Sequence, residues 1–461
     1  MKCWRNKEYY ITNQIMKNLL LLLLGLSILL PSEAKNKKIR QDVFPNGEPV
    51  AEWFIQDKAI PLDSLGKVYN IADFGAISDP NIVQTALIQS VIDKAAASGG
   101  GVIFIPEGIY KSGSLFFKQG THLYLTRGAV LLGSESILDF PLIMTRIEGQ
   151  YCKYFGALIN AEKLNGFTIS GSGTIDGNGT PYWKAFRLRR QWNPQCTNKD
   201  EMRPRLLYVS NCKNVQIADV TLQNSPFWTS HYYRCDHVKL INLRIYSPVR
   251  PIASASADGI DMDVCSNFLI KGCRITVNDD AICFKGGKGP EADKDPNNGP
   301  NTNILVENCI FDHTSGSCMT CGSESVRVSN VLMRDCQVNG GSSLLLLKMR
   351  PDTPQHYENI TVERVKGFCR AMFSVTSWKQ FFDLKGKTEI PKSYGTGITL
   401  RDLHLECDRF IDASRNDKEY DLSGFQFKDI VVKTENPSWD KDAFLNSKME
   451  NVKVNEISQT F

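Results

Sequence analysis

The sequence predicts an all-β chain folded as a single right-handed parallel β-helix with an N-terminal capping helix. Two observations carry that reading. One strand template recurs nine times, and apolar residues alternate within every copy. The copies are NVQIADVTL from Asn214, HVKLINLRI from His237, NFLIKGCRI from Asn267, NILVENCIF from Asn303 and NVLMRDCQV from Asn330. NITVERVKG from Asn359, GITLRDLHL from Gly397, GFQFKDIVV from Gly424 and NVKVNEI from Asn451 follow. Their first apolar positions run 215, 238, 268, 304, 331, 360, 398, 425 and 452, so one copy should stack on the next. Each unit is a short strand, a turn and a second strand, too small to bury its own apolar face, and stacking supplies the core. A sandwich of hairpins would also alternate, but it would not repeat one motif.

Taken in chain order, the first element is an apolar run, Leu19–Leu30, preceded by Lys17 and followed by Ser32-Glu33-Ala34. It is shorter than the roughly 20 residues that span a bilayer. A basic flank, an apolar run and small residues before a cut read as a signal peptide over 1–34, with Met16 as an alternative start. The mature protein is expected to be exported, periplasmic or extracellular, and not embedded in a membrane. Residues 35–66 read as a lead-in that docks Trp53 and Phe54 on the body, and 67–461 as the β-helix domain. Within the latter, Ala86, Ile88, Val91, Ile92 and Ala95 form the apolar stripe of one helix, placed to cap the open end of the solenoid.

The chain has 461 residues, 42% hydrophobic and 23% charged, with a net charge of +4. That composition is ordinary for a globular protein. The charge is too mild, and too evenly spread, to argue for nucleic acid. Fourteen cysteines in an exported chain suggest disulfides. Cys212, Cys235, Cys273, Cys309 and Cys336, however, recur at related points of successive units, as buried thiols in one ladder would. Cys318 and Cys321 form a CxxC without a second pair, either a metal half-site or two buried thiols facing opposite ways.

Two runs are unusually acidic for strands: SADGIDMDVC from Ser256 and NDDAIC from Asn278. Stacked turns lie about 4.8 Å apart, and the spacing from Asp258 to Asp279 is close to one turn. Asp258, Asp279 and Asp280 are therefore expected to converge on one exterior groove. Cleaving a glycosidic bond needs an acid for the leaving oxygen and a carboxylate for water or the sugar. Crowded carboxylates keep one member protonated near neutral pH. The alternatives are solvated turn aspartates or a calcium site. No ligand set of metal spacing accompanies them, so no cofactor and no metal is expected.

The stretches TALIQSVID, GGGVIFIPEGIY and LYLTRGAVLLGS, with the paired acids, resemble the polygalacturonase family of glycoside hydrolases (family 28). The resemblance runs from Tyr69 to about Asn451. It implies that the family's NTD motif falls on Ser256-Ala257-Asp258, keeping only the aspartate, and its paired acids on Asp279-Asp280. Asp279 would then be the proton donor, and Asp258 and Asp280 would activate water, with inversion. The family's GHG motif is replaced by Ser315-Gly316-Ser317, and only Lys348 remains of RIK, with His313 and Arg350 nearby as substitutes. These departures are similar to the rhamnogalacturonan hydrolase branch.

The substrate implied is an anionic pectic polysaccharide or oligosaccharide, rhamnogalacturonan or polygalacturonan, cleaved by a monomer. Lys285, Lys348 and Arg350 are candidates to pair with uronic carboxylates, with Lys348 some 10 to 15 Å from the acids by strand count. Solvated surface cations are the alternative. Trp228, beside His231, Tyr232 and Tyr233, is either a sugar-stacking wall or packing. The insertion Pro290–Asn303 is expected to rim the cleft. A pectate-lyase-like eliminase and a non-catalytic carbohydrate-binding solenoid are the competing functions.

Overall fold

The computed structural model describes residues 42–312 and 315–456. The leader expected over 1–34, the start of the lead-in, and His313 lie outside the described residues. From Val43 onward the chain forms one compact unit. It is a parallel β-helix: 31 strands join one sheet whose neighbours pair in parallel, each with the strand one turn later. A separate two-stranded antiparallel hairpin, Leu142–Ile147 with Gln150–Phe155, projects from it.

The template's leading residue has a backbone reason. Asn214, Asn267, Asn303, Asn330 and Asn359 all take left-handed φ between 50° and 59°, and His237, Gly397 and Gly424 are left-handed too, at 58°, 62° and 66°. Each sits at the corner that opens one face of the solenoid. Asparagine tolerates this conformation, and its amide also stacks. Asn303 donates to Asn267 at 3.2 Å and Asn330 to Asn303 at 2.6 Å. Behind the corner the first apolar positions align as Val215, Val238, Phe268, Ile304, Val331 and Ile360, in register from turn to turn. The last copy departs from the expected frame. Val452 stacks on Ile430, not on Phe425, and Asn451 donates to Asp429 at the next corner.

The cysteine ladder is two ladders. Register places Cys212 over Cys235 over Cys265 at one corner, and Cys273 over Cys309 over Cys336 at another. A further pair, Cys369 and Cys407, approaches to 3.7 Å between sulfurs. All thirteen cysteines of the described residues are free thiols. Cys318 and Cys321 both belong to the buried core, so they do not face opposite ways as expected.

Helix α1 (Thr85–Ala97) buries Ile88, Val91, Ile92 and Ala95 against the first turns, while Ala86 stays exposed and Leu87 packs in its place. Phe54 joins Phe44, Val50, Leu269, Leu305 and Leu332 in a satellite core on the outer face of the solenoid, with Trp53 beside it. The lead-in does dock as its two aromatic residues suggested. A second helix, α2 (Thr180–Trp192), starts with Pro181 in its first turn and buries Tyr182, Trp183 and Phe186.

Candidate active site

Five stacked strands form the face that carries the site: β1 (Ser230–Tyr233), β2 (Ile260–Asp263), β3 (Ile282–Lys285), β4 (Met319–Cys321) and β5 (Ser343–Met349). Alternation sends Ile260, Met262, Ile282 and Phe284 into the core. Asp261, Asp263, Cys283 and Lys285 therefore point outward. The three predicted acids precede these strands. Asp258 enters β2, and Asp279-Asp280 enter β3, one turn later.

They do converge. Together with Lys285, Lys348, Trp228 and Glu324 they line one cavity of about 920 Å³, whose far walls come from α2, the Glu148 turn of the hairpin and the segment Thr376–Gln380. Oxygens of Asp258 and Asp280 lie within 4.8 Å of each other and of the Cys283 sulfur. Asp280 accepts from the Ser317 amide at 3.0 Å and sits 2.6 Å from Nζ of Lys348. Its own amide donates to Asp279 at 3.0 Å.

Electrostatics separates the three. Burial, then the neighbouring Asp258 and Asp280 charges, push Asp279 up to about 7. Burial would raise Asp280 too, but the Lys348 ammonium and the Ser317 amide hold it below the usual carboxylate range. Asp258 is raised by burial and by Asp280, against the pull of Lys285. One acid is thus protonated near neutrality while its neighbour is ionised. That is the division of labour acid–base chemistry needs.

Several expectations need correction. Lys348 lies two strands beyond β3 but reaches back onto Asp280, so it contacts the acids instead of standing 10 to 15 Å away. Arg350 does not face the cavity. It is buried, forms a two-point pair with Asp352 at 2.7 Å and donates to the carbonyls of Gln380 and Phe381. Lys285 is in the site, yet its ammonium is already shared by Asp258 at 3.4 Å, Asp261 at 3.3 Å and Glu324 at 3.9 Å.

Trp228 borders the cavity but is only 3% exposed, stacked on Phe227 at 4.8 Å and edge-on to His231. His231, Tyr232 and Tyr233 are buried packing. The insertion 290–303 does not line the cavity. Asn298 accepts from Arg146, whose other partner is Asp263 at 3.0 Å, and Asn297 accepts from Tyr233, so the insertion braces the ends of β1 and β2.

Some residues of the site were missed. Asp261 and Glu324 were visible as acids, and strand alternation puts Asp261 on the face of Asp263, but nothing marked either as part of the cluster. Arg187 and Arg190 come from α2, and Trp378, whose ring lies 4.6 Å from Nζ of Lys348, comes from a loop. Neither segment belongs to the repeat, so the repeat gave no signal for them.

The comparisons agree with the expected resemblance. Residues 140–367 match the family model described as glycosyl hydrolases family 28. A probable polygalacturonase of Vitis vinifera is 30% identical over 227 residues, 47% of this chain and 44% of its own length. An exo-poly-alpha-D-galacturonosidase of Dickeya chrysanthemi is 25% identical over 327 residues, 62% of this chain and 52% of its own. The chain spans about half the length of these relatives. Among solved structures, an exopolygalacturonase from Thermotoga maritima superposes with a TM-score of 0.73 at 20% identity, covering 88% of this chain and 95% of that one. A Yersinia enterocolitica family 28 exopolygalacturonase gives 0.65 at 19%, covering 86% and 76%. These likenesses show the fold.

Proposed function

We propose, from the family 28 resemblance of residues 140–367, that this protein is an exported glycoside hydrolase acting on galacturonate-containing pectin. The observation that carries the reading is the asymmetric acid cluster on the cavity wall. Asp279 is held protonated toward neutral pH and Asp280 is held ionised beside it. Asp279 donates a proton to the glycosidic oxygen as the bond to the anomeric carbon breaks. Asp258 and Asp280 orient a water and take its proton as it attacks the opposite face, which inverts the anomeric centre. Of the two bases, Asp258 is the freer, because Asp280 is tied to Lys348.

The cavity also presents Arg187, Arg190 and Lys379, none of which faces the acid cluster at ion-pair distance. An anionic sugar chain suits such a wall. The relatives' names favour polygalacturonate as the first substrate to test, while the altered GHG and RIK positions keep rhamnogalacturonan beside it. A calcium-dependent eliminase is less favoured, because the ammoniums of Lys348 and Lys285 already stand against Asp280 and Asp258, where a divalent ion would have to bind.

The deciding experiment incubates the protein with polygalacturonate, rhamnogalacturonan and neutral glucans, with and without EDTA, and analyses the products. Saturated galacturonate-bearing fragments of inverted configuration, released equally in EDTA, support the proposal. Unsaturated products that need calcium would replace it with the eliminase, and binding without any product would favour the non-catalytic solenoid.

A further inference from the structure

Asp261, on β2, is fully buried and does not border the cavity. Neither of its side-chain oxygens receives a hydrogen bond from an N–H or hydroxyl of the described residues. The groups that face it account for this. From β1, His231 lies in register, neutral because burial lowers it to about 4; its Nδ1 accepts from Arg205 at 2.7 Å, which leaves the proton on Nε2, 3.5 Å from Asp263. From β3, Cys283 lies in register and gives its thiol hydrogen to the Gly322 carbonyl at 2.9 Å. Lys285 Nζ stands 3.3 Å from Asp261 but divides its charge with Asp258 and Glu324. The remaining neighbour is Asp258 itself, whose carboxyl is within hydrogen-bonding reach.

A buried carboxylate without donors is costly. The local charge balance makes the same point. Asp258 and Asp261 share, with Glu324, the one ammonium of Lys285, while the ammonium of Lys348 goes to Asp280, so the charges in contact leave Asp258 and Asp261 in excess. Burial and the Asp258 charge raise Asp261 well above the ordinary carboxylate range, further than Asp258.

We infer that Asp261 is a positioning residue that keeps a proton and donates it in a hydrogen bond to Asp258, holding Asp258 ionised as the base. The inference rests on the proposed hydrolysis and adds a residue that never meets substrate. Its signature is the acid limb of kcat/KM, which reports the base with the higher pKa, Asp258.

The test compares wild type, Asp261→Asn and Asp261→Leu on polygalacturonate across pH. An amide can donate to Asp258 as the carboxyl does, so Asp261→Asn should leave the acid limb within a few tenths of a unit. Leucine removes the donor, and the limb should move up by roughly one unit. If Asp261 were instead an ionised counter-charge to Lys285, both variants would remove a like charge from Asp258 and the limb would move down. A downward shift, or no shift in either variant, overturns the inference. Infrared difference spectra of the substrate-free protein near neutral pH keep the question answerable if the leucine variant does not fold. A carboxylic C=O band lost in Asp261→Asn supports the proton, and an unchanged band refutes it. Because that readout needs no turnover, it stands even if no pectin is cleaved.

Discussion

Oδ2 of Asp280 lies 2.6 Å from Nζ of Lys348, although the two residues are 68 apart in sequence. Register explains the reach. Lys285 on β3, Gly322 just after β4 and Lys348 on β5 occupy equivalent places in the stack, and a β-carbon on Gly322 would crowd the Lys348 carbonyl and β-carbon. The glycine leaves Lys348 room to lie back across two turns. Lysine here sets the charge state of an acid, so Lys348→Ala should lower kcat by at least roughly tenfold and not act on KM alone. Removing one partner of a buried pair also destabilises by about 3 to 5 kcal/mol. Steady-state kinetics with a melting curve checks both. A pure KM effect that shrinks with salt would return Lys348 to a substrate-binding role.

Asp279→Asn keeps the volume and removes the transferable proton. Hydrolysis should fall by about 10² to 10⁴-fold, while the melting temperature at pH 7 stays level or rises, because one crowded acid is gone. Turnover at the wild-type rate in a folded variant would refute Asp279 as the donor.

Much of this was legible in the sequence, and the reason is the solenoid itself. A repeat fixes which residues of adjacent turns meet, so the stacked apolar positions, the asparagine corner and the meeting of Asp258 with Asp279-Asp280 all follow from one register. Lys348 and Arg350 show where that logic stops. Turn counting locates a Cα, but a lysine side chain spans a further turn, and an arginine two residues from an aspartate can fold back on it. The walls of the cavity were hidden for another reason. α2, the hairpin 142–155 and the Trp378 segment are insertions between turns, each with its own local rules. The single-ladder reading of the cysteines failed because two corners of the same turn both favour a small buried residue.

Stability should depend on pH through Asp279 in an unusual direction. Its folded pKa, about 7, stands above the ordinary 3.8 of an unfolded chain. Between those values the unfolded chain has lost the proton and the native protein has kept it, so stability falls as pH rises from about 4 to 7. Asp280 works in the opposite sense: its contribution is present above 3.8 and lost as pH falls through its lowered folded value. Asp279→Asn removes the first effect, so its melting temperature should decline less than that of wild type between pH 4 and 7. The wild-type kcat/KM should also fall along an alkaline limb centred near pH 7, as Asp279 loses its proton. Parallel melting curves for the two proteins would contradict the assignment.

Arg350→Leu tests whether Arg350 is a buried partner of Asp352 and not a contact for substrate. It leaves Asp352 buried without its cation and frees the Gln380 and Phe381 carbonyls. A loss of about 3 to 5 kcal/mol is expected in urea unfolding. An Arg350→Leu, Asp352→Leu double variant should recover part of it, since no lone charge remains. A salt-dependent rise in KM with unchanged stability would instead mean that Arg350 meets substrate.

Gly316 occupies the middle of the run that replaces GHG, and its neighbours leave no space. A β-carbon there would overlap the carbonyl of Asp279 and the amide of Asp280. The obstacle is backbone, so no side-chain rotation relieves it. The same segment is fixed from three sides: the Ser317 amide donates to Asp280 at 3.0 Å, the Ala281 amide to the Ser317 carbonyl at 2.8 Å, and the Ser342 amide to the Gly316 carbonyl at 2.8 Å. Gly316→Ala must therefore push the Asp279-Asp280 peptide toward the cavity or the segment 315–317 away from it. Either movement shifts the acid relative to its base, and a displacement near 1 Å can cost about 10²-fold in rate. The expected result is a kcat reduced by roughly 10 to 100-fold, with the far wall of the cavity, and so KM, little changed. Ser315→Ala is the control, because among the described residues its hydroxyl bonds to Asn278 alone, and its loss leaves the Gly316 contact intact. If Gly316→Ala turned over at the wild-type rate, the close approach of this run to the paired acids would have no part in positioning them.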